Sequence, residues 1–130
     1  GASRARRVVT LGSPHHGSDV ASLGSVLSGA SCREACQELA PGSALLGRLN
    51  RDDETPPGPR WISIWTRDDQ VVSPPSSARL SGALDISLQD LCPGRRVAHG
   101  QLPSDAAVQA LVLDAIAVEL PTRPQRCPVS

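Results

Sequence analysis

Trp61-Ile62-Ser63-Ile64-Trp65-Thr66 is a run of aromatic and β-branched residues that stops abruptly at Arg67-Asp68-Asp69. A run of this kind closed by a polar break predicts a β-strand that delivers its carboxyl end into a loop. Trp61 and Trp65 fall on the same side of that strand, which points to core packing rather than ligand stacking. Upstream, Arg7-Val8-Val9-Thr10-Leu11-Gly12 reads as a buried strand feeding the loop Ser13-Pro14-His15-His16-Gly17-Ser18, and a weaker third strand lies near Leu84–Leu88. The helices are intercalated. Residues 19–29 suggest a loose helix, and Ser43 an N-cap for a short helix through Asn50 with Leu45, Leu46 and Leu49 on one face. Ser104 or Asp105 caps a longer helix in which Val108, Leu111, Val112, Ala115 and Ile116 follow the i, i+3, i+4, i+7, i+8 spacing. Pro121 is expected to end it.

Strand, helices, strand, loop, strand, helix is an α/β order, and it predicts a short parallel sheet flanked by helices. Residues 51–60, rich in Pro and acidic groups, are expected to be an exposed loop. Residues 1–130 are expected to form one partial domain, with 121–130 as a Pro-rich tail wrapped on its surface. Three strands make a poor parallel sheet alone, because such sheets want helices on both faces.

The composition narrows the function. The chain has 130 residues, 13 basic and 13 acidic side chains, and no Met, Tyr or Phe. Zero formal charge argues against nucleic acid or an anionic membrane as partner, since both need a concentrated basic field. No apolar run approaches the roughly 20 residues that span a bilayer, and no signal segment opens the chain. With no Met, residue 1 is not read as a translation start. Cys32, Cys36, Cys92 and Cys127 allow three disulfide connectivities. The favoured one joins Cys32 to Cys36 as a local clasp and Cys92 to Cys127 as a staple for the tail. Closing the longer loop is worth about 3–4 kcal/mol on a chain-entropy argument. Disulfides favour a secreted protein. The competing zinc site, Cys32-x-x-x-Cys36 with His15 and His16, lacks a Cys-x-x-Cys pair and regular ligand spacing. Asp52-Asp53-Glu54 sits in a Pro-flanked loop without the other ligands a calcium cage needs.

Loops after the carboxyl ends of strands are where open α/β sheets gather functional groups. Three such loops carry His15 and His16, then Asp68 and Asp69, then His99. An acid followed in chain order by a His matches the last two members of a Ser-Asp-His triad. A His titrates ordinarily near pH 6.5, which suits a base at neutral pH. Asp69 is also explained as a turn residue or helix cap, His15 and His16 as loop residues, and Arg95-Arg96 as solvated cations. The nucleophile is missing. A Gly-x-Ser-x-Gly elbow needs two Gly four apart, whereas Gly12/Gly17, Gly24/Gly29 and Gly42/Gly47 are each spaced by five. A phosphate-binding loop has no Lys to complete it.

Val8-Val9-Thr10-Leu11-Gly12-Ser13-Pro14-His15-His16-Gly17-Ser18 resembles the stretch after the nucleophile elbow in secreted bacterial lipases of the α/β-hydrolase fold. Cys36-Gln37-Glu38-Leu39-Ala40-Pro41-Gly42-Ser43 is similar to a segment of actinobacterial triacylglycerol lipases and esterases. Asp69-Gln70-Val71-Val72-Ser73-Pro74 resembles their catalytic-acid loop, and Val97-Ala98-His99-Gly100-Gln101-Leu102 their catalytic-His loop. The resemblance runs over nearly the whole chain. It implies the C-terminal portion of an α/β-hydrolase fold, with the nucleophile-elbow half absent. Asp69 would be the triad acid, preferred over Asp68 for its offset from Val71-Val72 and Pro74, and His99 the general base. The substrate would be an ester or acylglycerol, with no cofactor and no metal. The Ser and part of the oxyanion hole would lie upstream of Gly1, so the isolated chain is expected to be inactive. The alternative is a non-catalytic hydrolase-like binding module that has lost its nucleophile half.

Overall fold

A computed structural model describes residues 4–19, 23–24 and 33–129. Strands β1 (Arg7–Leu11), β2 (Arg60–Trp65) and β3 (Leu84–Ser87) form a three-stranded sheet in the order β1-β2-β3. Both pairings are parallel. Helices α1 (Arg33–Glu38) and α2 (Ala44–Leu49) lie between β1 and β2, while α3 (Leu88–Leu91) and α4 (Ala106–Ala117) follow β3. The molecule is a small α/β structure, as the order of elements predicts. The expected helix over 19–29 lies largely outside the described residues, and so does the Cys32–Cys36 clasp.

Register explains where the core sits. Val9 pairs with Ile62 and Ile62 with Leu84; Leu11 pairs with Ile64 and Ile64 with Ile86. Strand side chains alternate between faces, so these six share one face. Against it packs α4, with Ala107, Val108, Leu111 and Ala115 all buried. The opposite face of β2 carries Trp61, Ser63 and Trp65. The main core is aliphatic and contains Ile62 and Ile64, at 1% and 0% exposure, so the two Trp pack on the other side of the strand. Trp65 is buried and donates Nε1–H to Asp85, whereas Trp61 is half-buried and donates to the Pro56 carbonyl. The strand begins at Arg60 and excludes Thr66, which turns out of the sheet. β1 stops at Leu11 and is half-buried rather than buried, because it is an edge strand. Leu88 belongs to α3 rather than to β3.

Local capping rules hold at both helices that the sequence marks. Ser43 Oγ accepts from Leu46 N–H (3.2 Å), and Asp105 accepts from Ala107 and Val108 N–H (2.9 and 3.1 Å). Asp105, not Ser104, is thus the cap of α4. Of the three Leu expected inside α2, only Leu46 is buried, and Leu49 is 63% exposed. Ile116 is likewise 55% exposed although its spacing places it with the core stripe.

Helix α4 ends at Ala117, ahead of Pro121. Arg7 takes its terminal carbonyls: Nε donates to Ala115 O, and Nη2 donates to Val118 O and Glu119 O. A cation at a helix C-terminus satisfies orphan carbonyls and complements the dipole. The tail is tied down by a Cys92–Cys127 disulfide with Cα atoms 4.8 Å apart. Cys127 and Val129 pack against the main core, so the tail is more than a surface wrap. In the 51–60 segment, Pro59 is buried and Glu54 and Thr55 are half-buried, so that loop is only partly exposed. Among the described residues, no helix is long and apolar enough to cross a membrane.

Candidate functional site

At the carboxyl end of β2 the chain leaves the sheet through Thr66, turns at Arg67-Asp68, and folds Asp69 back on itself. Asp69 Oδ1 accepts the N–H groups of Val71 (2.9 Å) and Val72 (2.8 Å), a local side-chain turn typical of Asp. Its other oxygen, Oδ2, receives Nδ1 of His99 at 2.8 Å. The Asp69 side chain is 1% exposed, that of His99 31%. A buried carboxylate is costly unless its oxygens are hydrogen-bonded, and here both oxygens are. An ionised Asp69 can only accept, so Nδ1 donates to it, and in the neutral ring Nε2 is then the nitrogen with the free lone pair.

His99 opens a 3-10 turn, His99–Ser104. Gln101 Oε1 accepts the Ala98 N–H at 2.9 Å and braces the residue before it. Asp69 and His99, singled out in the sequence as acid and base, are thus brought together from loops 30 residues apart.

Gly12 packs directly against the pair. Its φ is +58°, a left-handed conformation that favours glycine. A Cβ there would lie 2.8 Å from Leu102 Cδ1, 3.0 Å from Asp69 Oδ2 and 3.2 Å from His99 Nδ1. The end of β1 therefore approaches the acid–base pair as closely as backbone permits. Its position after a β-branched run and before Ser-Pro was the available signal. Leu11 and Pro103, the chain neighbours of Gly12 and Leu102, open onto an apolar groove of about 290 Å³ shared with Val112 and Leu113.

Two further hydroxyls hold the acid loop. Ser18, fully buried, donates to Val71 O (2.6 Å) and accepts from Ser73 N–H (2.9 Å). Thr66, also fully buried, donates to Val97 O at 2.7 Å and so joins the acid loop to the His loop. Asp68, the competitor of Asp69, turns away from His99. Its Oδ2 accepts the Val97 N–H at 3.3 Å and lies 3.4 Å from Arg96 Nε. Arg95, expected to be solvated, instead grips the Asp105 cap, with Nε 2.9 Å from Oδ2. Burial works against the Asp105 charge, but the Arg95 and Val108 hydrogen bonds, the Arg95 charge and the Ala107 N–H outweigh it. Its carboxyl is held below the usual range.

His15 and His16 stand apart from the pair. His15 Nε2 is 3.1 Å from Thr10 Oγ1, and Asn50 Nδ2 donates to its carbonyl. Burial, then the neighbouring His16, pushes the His15 imidazole below its ordinary value, with Glu54 opposing. His16 Nε2 is 2.8 Å from Glu54 Oε1. Burial works against the Glu54 charge, but the His16 hydrogen bond, the Ser81 N–H and the two nearby imidazoles lower its carboxyl overall. Asp53 accepts from Thr55 N–H at 2.9 Å, a turn within the acidic stretch. Among the described residues, no three His, Cys, Asp or Glu side chains converge as metal ligands.

Compared with known proteins, the chain matches no family model, and no curated protein matches it.

Proposed function

We propose that this chain carries the acid and the general base of a serine carboxylester hydrolase of the α/β-hydrolase type, similar to secreted bacterial triacylglycerol lipases and esterases. The observation that carries the reading is the 2.8 Å contact between His99 Nδ1 and the buried Asp69 Oδ2, which leaves Nε2 as a base. The sequence holds no Gly-x-Ser-x-Gly elbow, so in this reading the nucleophilic Ser lies upstream of Gly1. Its hydroxyl attacks the ester carbonyl while Nε2 removes the proton; the proton then passes to the departing alcohol as the C–O bond breaks. Water hydrolyses the acyl-enzyme by the same route in reverse. Asp69 fixes the tautomer and stabilises the imidazolium. The Cys92–Cys127 disulfide favours action outside a reducing cytosol.

The test begins with the coding sequence upstream of the Gly1 codon, read in frame. A Gly-x-Ser-x-Gly elbow is expected, and the longer protein should hydrolyse p-nitrophenyl butyrate and react with a fluorophosphonate. His99→Ala should then lower kcat by roughly 10³–10⁶-fold. The isolated chain should turn over the same ester at no enzyme-like rate. Absence of the elbow, or an inert longer protein, overturns the reading and leaves a non-catalytic binding module in its place.

A further inference from the structure

We propose that Gln89 is the positioning residue that sets the acid loop against the His loop and thereby holds His99 Nδ1 on Asp69; this rests on the acid–base reading of that pair. Gln89 lies in α3, a four-residue helix that contributes neither Asp69 nor His99. Its carboxamide reaches both loops. Oε1 accepts the Arg67 N–H at 2.8 Å, and Nε2 donates to Thr66 Oγ1 at 2.9 Å, both within three residues of Asp69. Nε2 also donates to the Arg95 carbonyl at 3.1 Å, four residues before His99, and lies 3.4 Å from Asp68 Oδ2.

The chemistry needs an amide. Thr66 Oγ1 spends its only proton on Val97 O and accepts at its two lone pairs from the Asp68 N–H (3.2 Å) and, more closely, from Gln89 Nε2 (2.9 Å). The Arg67 N–H needs an acceptor. Gln supplies both from one planar group, whereas an ionised Glu accepts only and a Leu does neither. The bonds of Gln89, Thr66 and Asp68 therefore clip residues 66–68 to residues 95–97. Asp69 and His99 emerge from the two clipped segments, and their separation follows from the clip rather than from their own attraction alone.

The readout is the tautomer of His99 in the ¹⁵N-labelled full chain, from long-range ¹H–¹⁵N spectra, with His15→Gln and His16→Gln assigning the other rings. Wild type is expected to give the Nδ1–H tautomer and a strongly downfield Nδ1 proton. Gln89→Leu should lose that proton signal and yield a tautomeric mixture, with the indole N–H signals of Trp61 and Trp65 unmoved. Gln89→Glu keeps the side-chain length and the acceptor for Arg67, yet should show the same loss because it has no proton to donate. A folded variant of either kind that retains the downfield His99 proton at wild-type intensity overturns the proposal. If neither variant keeps the Trp signals, Gln89 holds the fold rather than the pair, and the proposal is equally overturned. A wild-type His99 in the Nε2–H form would instead sink the acid–base reading itself.

Discussion

Two histidines in this chain lie 2.8 Å from a carboxylate, His99 on Asp69 and His16 on Glu54, yet only one of the two carboxylates is buried. His99 engages its acid through Nδ1 and His16 through Nε2. The Asp69 side chain is 1% exposed and ties its second oxygen to its own backbone; Glu54 is 15% exposed, and its second oxygen takes the N–H of Ser81. The His16 ring is 42% exposed. Distance alone therefore says little. What separates the pairs is whether the carboxylate is buried, locally satisfied and packed against backbone that leaves no freedom. A solvated pair is worth little because water screens it and its side chains lose entropy in forming it.

That contrast is open to direct attack. The largest expected effect is Asp69→Ala, which strands two backbone N–H groups and one imidazole; it should lower unfolding free energy by about 3–5 kcal/mol in urea titration. Glu54→Ala should cost at most about 1 kcal/mol in the same experiment. Equal losses would abolish the distinction. Next comes Gly12→Ala, where backbone strain and the clash with Leu102, Asp69 and His99 should together cost about 1–3 kcal/mol. The downfield His99 proton should disappear as well, and its survival at wild-type stability would mean that the close approach of β1 is unimportant.

Asp105→Ala removes the cap of α4 and the anchor of Arg95 in the His loop, and about 1–2 kcal/mol should be lost in thermal melts. Because the Asp105 carboxyl is depressed in the fold, its contribution is fully present above the unfolded value of about 4 and fades as pH falls through the folded one. Asp105→Asn should therefore flatten the acid limb of the stability curve below about pH 4. The smallest effect concerns His15. Its folded value is lowered, so below about 6.5 the unfolded chain takes up the proton first and stability declines with acidification. His15→Gln should remove that decline, measured by urea midpoints between about pH 7 and 5. An unchanged slope would assign it elsewhere.

The parts of the site that sequence revealed are those written in local chemistry. Asp69 announces itself by ending a strand and preceding Val71-Val72, and His99 by sitting between small residues ahead of a capped helix. Their order along the chain fits an acid and a base, and the resemblance to the lipase loops selects Asp69 over Asp68. Thr66 and Gln89 carry no such mark, because their role consists of contacts with residues far away in sequence. The same limit governs the fold. Periodicity found α4, but not that Arg7, from the first strand, would take its last carbonyls and end it at Ala117. Aromatic content drew attention to Trp61 and Trp65, whereas register across three strands, invisible in any one of them, gave the core to Ile62 and Ile64. Leu49 and Ile116 fit a helical stripe yet stay exposed, since a stripe says which residues share a face and not how far the opposing surface extends.

The staple between Cys92 and Cys127 has a consequence for how the molecule meets a protease. Arg126 is exposed in the tail, one residue before a half-buried Cys127 that is bonded to the buried Cys92. Trypsin cutting after Arg126 severs the backbone without freeing the segment that begins at Cys127, because the sulfur link keeps the clipped end seated. The nicked molecule would migrate as one species on a non-reducing gel, and only a thiol reagent would release the end. Cleavage and departure thus become separate events, the first governed by exposure and the second by redox state.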